Sequence, residues 1–237
     1  MILDLNCDVG ELPDAALEES LLRLVTSANV ACGAHAGDPA AMRRTVDLAR
    51  RYGVAVGAHP GYPDRANFGR VEMPLSAEQI ARTVYDQVRA LAEIAGDLTH
   101  VKPHGALYNV AARNMDVARA IGEGVARFER GLVLVGLAQS AMLEVWRDMG
   151  FRTAAEGFAD RRYEPDGSLR SRKFDDALIT APAQAAAQAL CLACQGRVQT
   201  ICIHSDTPGS ARIVSAVAES LRKGGVELKP LASGAPR

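Results

Sequence analysis

The sequence has no excess of basic residues. Its 27 Lys and Arg face 28 Asp and Glu, a formal net charge of −1, so it lacks the electrostatic footprint that holds a phosphate backbone, and no nucleic-acid partner is expected. Aromatics are scarce at 5%, which argues against base-stacking platforms and sugar-stacking clefts. The five cysteines are an odd number without the spacing of a disulfide framework, so a reducing, cytoplasmic setting is expected. The start of the chain carries a charge at Asp4 and no basic run, unlike a secretory leader. The longest uncharged stretch, 177–196, is Ala-rich and interrupted by Pro182, Gln184, Gln188 and Gln195, so it reads as a soluble helix, and no membrane association is expected. No P-loop of the form Gly-x4-Gly-Lys-Ser/Thr occurs, so that route to gripping ATP is missing.

What is present is alternation. Short apolar or β-branched runs at 2–5, 27–31, 54–58, 99–102, 132–136, 152–156 and 200–204, with a weak eighth at 226–228, predict strands. Helical patterns fall between them at 15–24, 39–51, 76–95, 116–129, 139–149, 182–195 and 209–223. Asp38-Pro39 and Thr207-Pro208 read as N-cap and first helical residue, Ser76 to Gln79 as a capping box, and Gly53 as a helix C-cap. About seven β-α units in 237 residues, with no linker or repeat, predict one parallel β/α barrel domain over 1–237. The long loop near 157–176 carries Arg161, Arg162, Arg170, Arg172 and Lys173. It reads either as a lid or as a solvated basic loop.

Polar residues gather where the strands end. Asn6 and Asp8 follow the first strand; Asn29 and His35 the second; His59 the third; Lys102 and His104 the fourth; Glu156 and Asp160 the sixth; His204 and Asp206 the seventh. In a parallel barrel those ends share one face, where active sites are built. His59 and His104, each beside a proline, and Lys102, two residues from His104, read as functional. Asp38 reads as a cap, His100 as an ordinary surface or packing histidine, and Cys7 and Cys32 as small packing residues. Asp8 with two of His35, His59 and His104 would make an N/O donor set suited to zinc, manganese or iron. Cys191 and Cys194 with Cys202 and His204 imitate a zinc set, but the first two lie inside a helical pattern, so structural zinc is not expected.

These residues sit in longer motifs. LNCDVGE (5–11), SANVACGAHAGDP (27–39), GAHPGYPD (57–64), VKPHGALYN (101–109), AEGFADR (155–161), YEPDGSL (163–169) and HSDTPG (204–209) resemble the LamB/YcsF family across nearly the whole chain. The resemblance implies a distorted (β/α)7-like barrel related to polysaccharide deacetylases and glycoside hydrolases. It implies the A component of an ATP-dependent 5-oxoprolinase, a cyclic-amide hydrolase that turns 5-oxo-L-proline, ATP and water into L-glutamate, ADP and phosphate, with subunits B and C as partners. In that reading Asp8, His59 and His104 are candidate acids and bases, and Lys102 a candidate charge stabiliser. Asn6, Asn29, His35, Glu156 and Asp206 are candidate substrate contacts. ATP is the co-substrate and a divalent metal is an option on Asp8, His35, His59 and His104. The chain departs from the usual family pattern in its short segment after the Asn-Cys-Asp motif (11–14), in Ser205 before Asp206, and in Val71 after Arg70. A stand-alone metal-dependent deacetylase or amidohydrolase, and a non-catalytic scaffold component, are the alternative readings.

Overall fold

The computed structural model describes residues 1–231. Its strands are β1 (Ile2–Val9), β2 (Ser27–Ala31), β3 (Ala55–His59), β4 (His100–Val101), β5 (Val133–Leu137), β6 (Thr153–Phe158), β7 (Thr200–His204) and β8 (Glu227–Leu228). The helices are α1 (Ala15–Leu22), α2 (Pro39–Arg51), α3 (Ala77–Ala95), α4 (Gly105–Ala111), α5 (Met115–Phe128), α6 (Ala141–Asp148), α7 (Pro182–Cys194) and α8 (Ser210–Lys223). Strands β1 to β7 pair in parallel in chain order, and β1 closes the ring by pairing with both β2 and β7; β8 adds to the outer end of β1. The result is a closed seven-stranded parallel barrel with helices outside.

The alternation of β1 divides the two sides of the wall. Leu3, Leu5, Cys7 and Val9 join the apolar core, while Asp4, Asn6 and Asp8 are buried polar residues between them. Successive side chains of a strand take opposite faces, so the even residues enter the barrel and the odd ones meet the helices. Strand β7 repeats this, with Ile201 and Ile203 in the core and Thr200, Cys202 and His204 on the alternate set. The apolar core is therefore the shell between wall and helices, and the lumen is polar. β1 is longer than the sequence run 2–5 because pairing on both sides keeps Asn6 to Val9 extended, against the weak strand preference of Asn and Asp.

Asp38 caps α2 by accepting from Ala41 N at 2.8 Å, Ser76 and Gln79 form the capping box of α3, and Gly53 follows α2 with a positive φ of 67°. Two local readings need correction. Residues 105–111, which carry no clear helical periodicity of their own, form α4 behind the Pro103-His104-Gly105 break. Thr207 does not cap α8; its hydroxyl donates to Asp160 and Gly209 precedes the helix. No helix among the described residues is long and apolar enough to cross a membrane.

Candidate active site

The lumen holds a continuous hydrogen-bond ladder. At its base Asp4 accepts from Thr26, Ser27 and Thr200. Asn6, one layer up, donates to Thr200 Oγ1 (2.6 Å) and Glu156 Oε1 (3.1 Å). Asn29 donates to Asn6 Oδ1 (2.7 Å) and Asp8 Oδ1 (2.8 Å) and accepts from His100 Nε2 (2.7 Å). Glu156 takes a further bond from Tyr108 Oη (2.8 Å). His100 is thus no surface residue. It lies fully buried in the lumen, and burial pushes it down to about 3. Its ring fills the space beside Gly57, where an added Cβ would stand 2.2 Å from Nε2.

Lys102 rises from this layer, almost entirely buried. Its ammonium donates to Asp8 Oδ1 (2.8 Å), Glu156 Oε1 (2.9 Å) and Cys202 Sγ (3.0 Å). Burial opposes its charge, but Asp8, Cys202 and Glu156 outweigh that and hold it well above the usual lysine value. Asp8 is the converse: burial would raise it, and His59 and Lys102 pull it well below the ordinary carboxylate range. The hydrogen-bonding groups of Asn6, Asn29 and Glu156 are spent on one another and on Lys102. In this arrangement they brace Lys102 and Asp8 from beneath.

Above Asp8 lies a knot of acceptors. His59 Nδ1 faces the Lys102 carbonyl at 2.7 Å, and His104 Nε2 faces the Phe68 carbonyl at 2.9 Å. Carbonyls accept only, so those nitrogens carry the ring protons. The lone pairs of neutral rings then point inward: His59 Nε2 and His104 Nδ1 stand 2.9 Å apart. Glu11 Oε1 lies 3.2 Å from His104 Nδ1 and 3.7 Å from His59 Nε2, and Asp8 Oδ2 is 3.3 Å from His59 Nε2. Burial would raise Glu11, but protons donated to it by His35 and, where the ring carries a second proton, by His104 hold it well below its usual value. Two nitrogens and two carboxylates converging on one point demand a positive charge there, a proton or a metal ion. Backbone carbonyls fixing the outer nitrogen of each ring are the usual surroundings of metal-binding imidazoles. The donor set fits a zinc-, manganese- or iron-type cation. Glu11, His35, His59 and His104 bring one donor atom each within 4.8 Å of one another.

His35 stacks on His104 (3.8 Å, 3°) and meets Glu11 Oε1 at 3.1 Å through Nε2; its buried Nδ1 has no partner. Burial pushes this ring down to about 4. Gly69 permits the stack, since a Cβ there would lie 2.8 Å from His35 Cβ.

A second centre faces Asp8 from β7. Asp160 accepts from His204 Nδ1 (3.1 Å), from His204 N (3.0 Å) and from Thr207, leaving His204 Nε2 aimed toward Asp8 Oδ2 at 3.9 Å. His204 lies on the Phe158 ring (5.4 Å, 13°), and its side chain is 13% exposed. Asp206 stands apart from the lumen, bound by Arg70 and by Arg172 (2.9 and 3.3 Å).

The structure therefore brings Asp8, His35, His59, Lys102 and His104 together at one barrel mouth. Glu11, His204 and Tyr108 stand inside the sequence motifs but join the site only through the fold. Glu11 lies past the end of β1, and Gly10, with φ 73°, is the signal that the chain turns there. Cys191 and Cys194 are exposed on α7 while Cys202 is buried against Lys102, so the imitation zinc set is not assembled. Val71 is exposed, and Ser205 is buried with an unpartnered hydroxyl.

Residues 3–235 match the model of the LamB/YcsF family. A curated relative from Chloroflexus aggregans, named as the A component of 5-oxoprolinase, is 48% identical over 96% of this chain and 98% of its own. One of the same name from Pyrococcus furiosus is 41% identical over 98% of each. Among solved structures, a lactam utilization protein from Thermus thermophilus superposes with a TM-score of 0.89 at 40% identity, over 97% of this chain and 99% of that one. A family 4 carbohydrate esterase from Streptomyces lividans shares the fold at 15% identity and a TM-score of 0.58, over 100% and 95% of the two chains.

Proposed function

The chain belongs to the LamB/YcsF family, and from that premise we propose that it acts as the A component of an ATP-dependent 5-oxoprolinase. It opens the lactam of 5-oxo-L-proline to L-glutamate together with subunits B and C. The names carried by relatives across their whole length support this reading. The observation that carries it is the ionised Asp8, held by Lys102 at 2.8 Å and facing His59 at 3.3 Å at the barrel mouth.

The chemistry requires such a mouth. A five-membered lactam is a resonance-stabilised amide and a poor electrophile. Phosphorylating its oxygen at the expense of ATP makes the ring carbon open to water. The residues here then hold and move protons: His204, steadied by Asp160 at Nδ1, offers Nε2, and Asp8 and His59 offer a second acceptor. Lys102 keeps Asp8 anionic, and the Asn6–Asn29–Glu156 brace keeps Lys102 in place. Glu11, His59 and His104, with Asp8 beside them, would hold a divalent cation; such an ion polarises a carbonyl or lowers the pKa of water. ATP handling is assigned to the partner subunits, in a cytoplasm that keeps the five free thiols reduced.

The test is ATP-dependent glutamate release from 5-oxoproline by the chain alone and by the chain with both partners. Turnover is expected only in the complex. Asp8→Asn should lower it by about 10²–10⁴-fold, the range for losing one acid–base group, with a shift in stability of no more than about 1–3 kcal/mol. An inactive reconstituted complex, or full turnover by the single chain, would sink the reading. The converging acceptors favour a second reading, a metal-dependent amidohydrolase that works alone. Chelator-sensitive hydrolysis without ATP would select it. Unchanged turnover in His59→Ala would instead select a scaffold role.

A further inference from the structure

We propose that Arg161, Arg172 and Arg70, gathered about Asp206 at the barrel mouth, form the subsite that takes an oxyanion group of the substrate. The proposal rests on the lactam-opening reading above and adds to it the part of the ligand that is not the lactam.

Two guanidinium groups here are paired with one carboxylate, and a third, that of Arg161, lies beside them. Asp206 binds Arg70 and, with both oxygens, Arg172. Asp160, the neighbouring acid, is spent on His204 and Thr207. Arg170, on the same loop, is neutralised by Glu164 (2.9 Å) and Asp176 (2.7 Å) and does not belong to the group. Arg161 is only 5% exposed; one of its nitrogens donates to the Arg170 carbonyl at 2.7 Å, and its Nε is buried without a partner. Burial, together with the like charges of Arg172 and Arg70, brings its guanidinium down to about 10 against the opposing pull of Asp160 and Asp206. A buried guanidinium with an idle donor and no carboxylate bonded to it is costly to maintain unless an anion completes it. Guanidinium groups match carboxylate and phosphoryl oxygens through paired N–H donors.

The cluster borders the acid–base centre. Arg161 follows Asp160, the residue that steadies His204, and Asp206 lies two positions beyond His204. Arg70 sits over the Phe68 ring at 4.7 Å, and the Phe68 carbonyl holds His104. A small ligand with its reacting carbon at the histidines would place a neighbouring oxyanion among the arginines. In 5-oxoproline that group is the carboxylate; in the activated lactam it is the phosphoryl group. Asp206 keeps the arginines gathered, and the long basic loop becomes part of the binding site.

The test measures binding of 5-oxo-L-proline and of inorganic phosphate to the full chain, and steady-state kinetics of the reconstituted complex, for Arg161→Gln and Arg172→Gln. Loss of one charge-assisted contact should weaken the bound oxyanion by about 10- to 100-fold. If the carboxylate is the ligand, Kd and KM for 5-oxoproline rise by that factor, kcat stays within a few-fold, and phosphate binding is unchanged. If the phosphoryl group is the ligand, phosphate binding weakens instead and kcat falls. Folded variants that bind both compounds within twofold of wild type would overturn the proposal, as would a wild-type chain that binds neither. Arg172 lies on a half-exposed loop, so its variant carries the test should Arg161→Gln fail to fold. An inactive wild-type complex would refute the lactam reading alone, because phosphate binding to the single chain still tests the subsite.

Discussion

Replacing Lys102 with Met removes the one ammonium that the described residues place in the lumen while keeping most of its bulk. Asp8 and Glu156 then lose their shared cation at 2.8 and 2.9 Å, in a site where Lys102 and both acids are almost wholly buried. Breaking a buried ion pair from one side costs about 3–5 kcal/mol, because the partner charge is left uncompensated. At about 2–4 °C per kcal/mol for a chain of this size, the melting temperature should fall by about 6–20 °C. A double-mutant cycle locates the cause. Asp8→Asn deletes one of the stranded charges, and an amide oxygen can still accept from Asn29. Lys102→Met in the Asp8→Asn background should therefore cost less than in the wild type, with a coupling of about 1–3 kcal/mol. Urea unfolding of the four proteins, each with chelator present, supplies the numbers. A Lys102→Met protein within about 1 kcal/mol of wild type, with no coupling to Asp8, would show that the buried ion pair has been misjudged.

Three further outcomes follow from the lumen and the shell. His100 is held neutral by burial at about 3, whereas the unfolded chain takes up that proton near pH 6.5. Its contribution is thus complete above pH 6.5 and lost progressively as pH falls toward 3. Unfolding free energy should drop about 1.4 kcal/mol per pH unit more steeply in wild type than in His100→Gln between pH 6 and 4; equal slopes would place His100 elsewhere. Gly57→Ala puts a methyl group 2.2 Å from the His100 ring and should cost about 1–3 kcal/mol, part of it recovered in Gly57→Ala with His100→Ala; a thermal melt unchanged by Gly57→Ala alone would contradict this packing. Cys191→Ser with Cys194→Ser should leave both the melt and bound zinc unaltered, since these thiols are exposed on α7, and loss of stoichiometric zinc would restore the discarded cysteine site.

The fold was largely legible because its signals are local. Short apolar runs alternating with helical patterns mark the β-α units, and Asp38, Ser76 and Gly53 mark helix ends by side-chain and backbone chemistry, whereas the continuation of β1 through Asn6 to Val9 is set by its two neighbours. The site was legible only as a set of strand ends. What escaped depends on distance along the chain. Asp160 meets His204 across 44 residues, His100 meets Asn29 across 71, and Glu11 reaches the histidines only because Gly10 turns the backbone. Pairwise geometry of that kind leaves no periodic trace. Asn6, Asn29 and Glu156 show the same limit: their bonds to one another and to Lys102 join strands far apart in the sequence.

The closure of the ring by β1 against β7 has a consequence for biosynthesis. Asp4 lies opposite Thr200, 196 residues later. At ribosomal rates of about 5–20 residues per second, the β7-facing edge of β1 waits roughly 10–40 seconds for its partner. His204 is missing throughout that time and Lys102 for about the first half of it, and the alternating strand presents open backbone groups beside an apolar face, the combination that nascent-chain chaperones shield. Barrel closure and the arrival of His204 opposite Asp8 thus become one late event, and a chain stalled before residue 200 has neither.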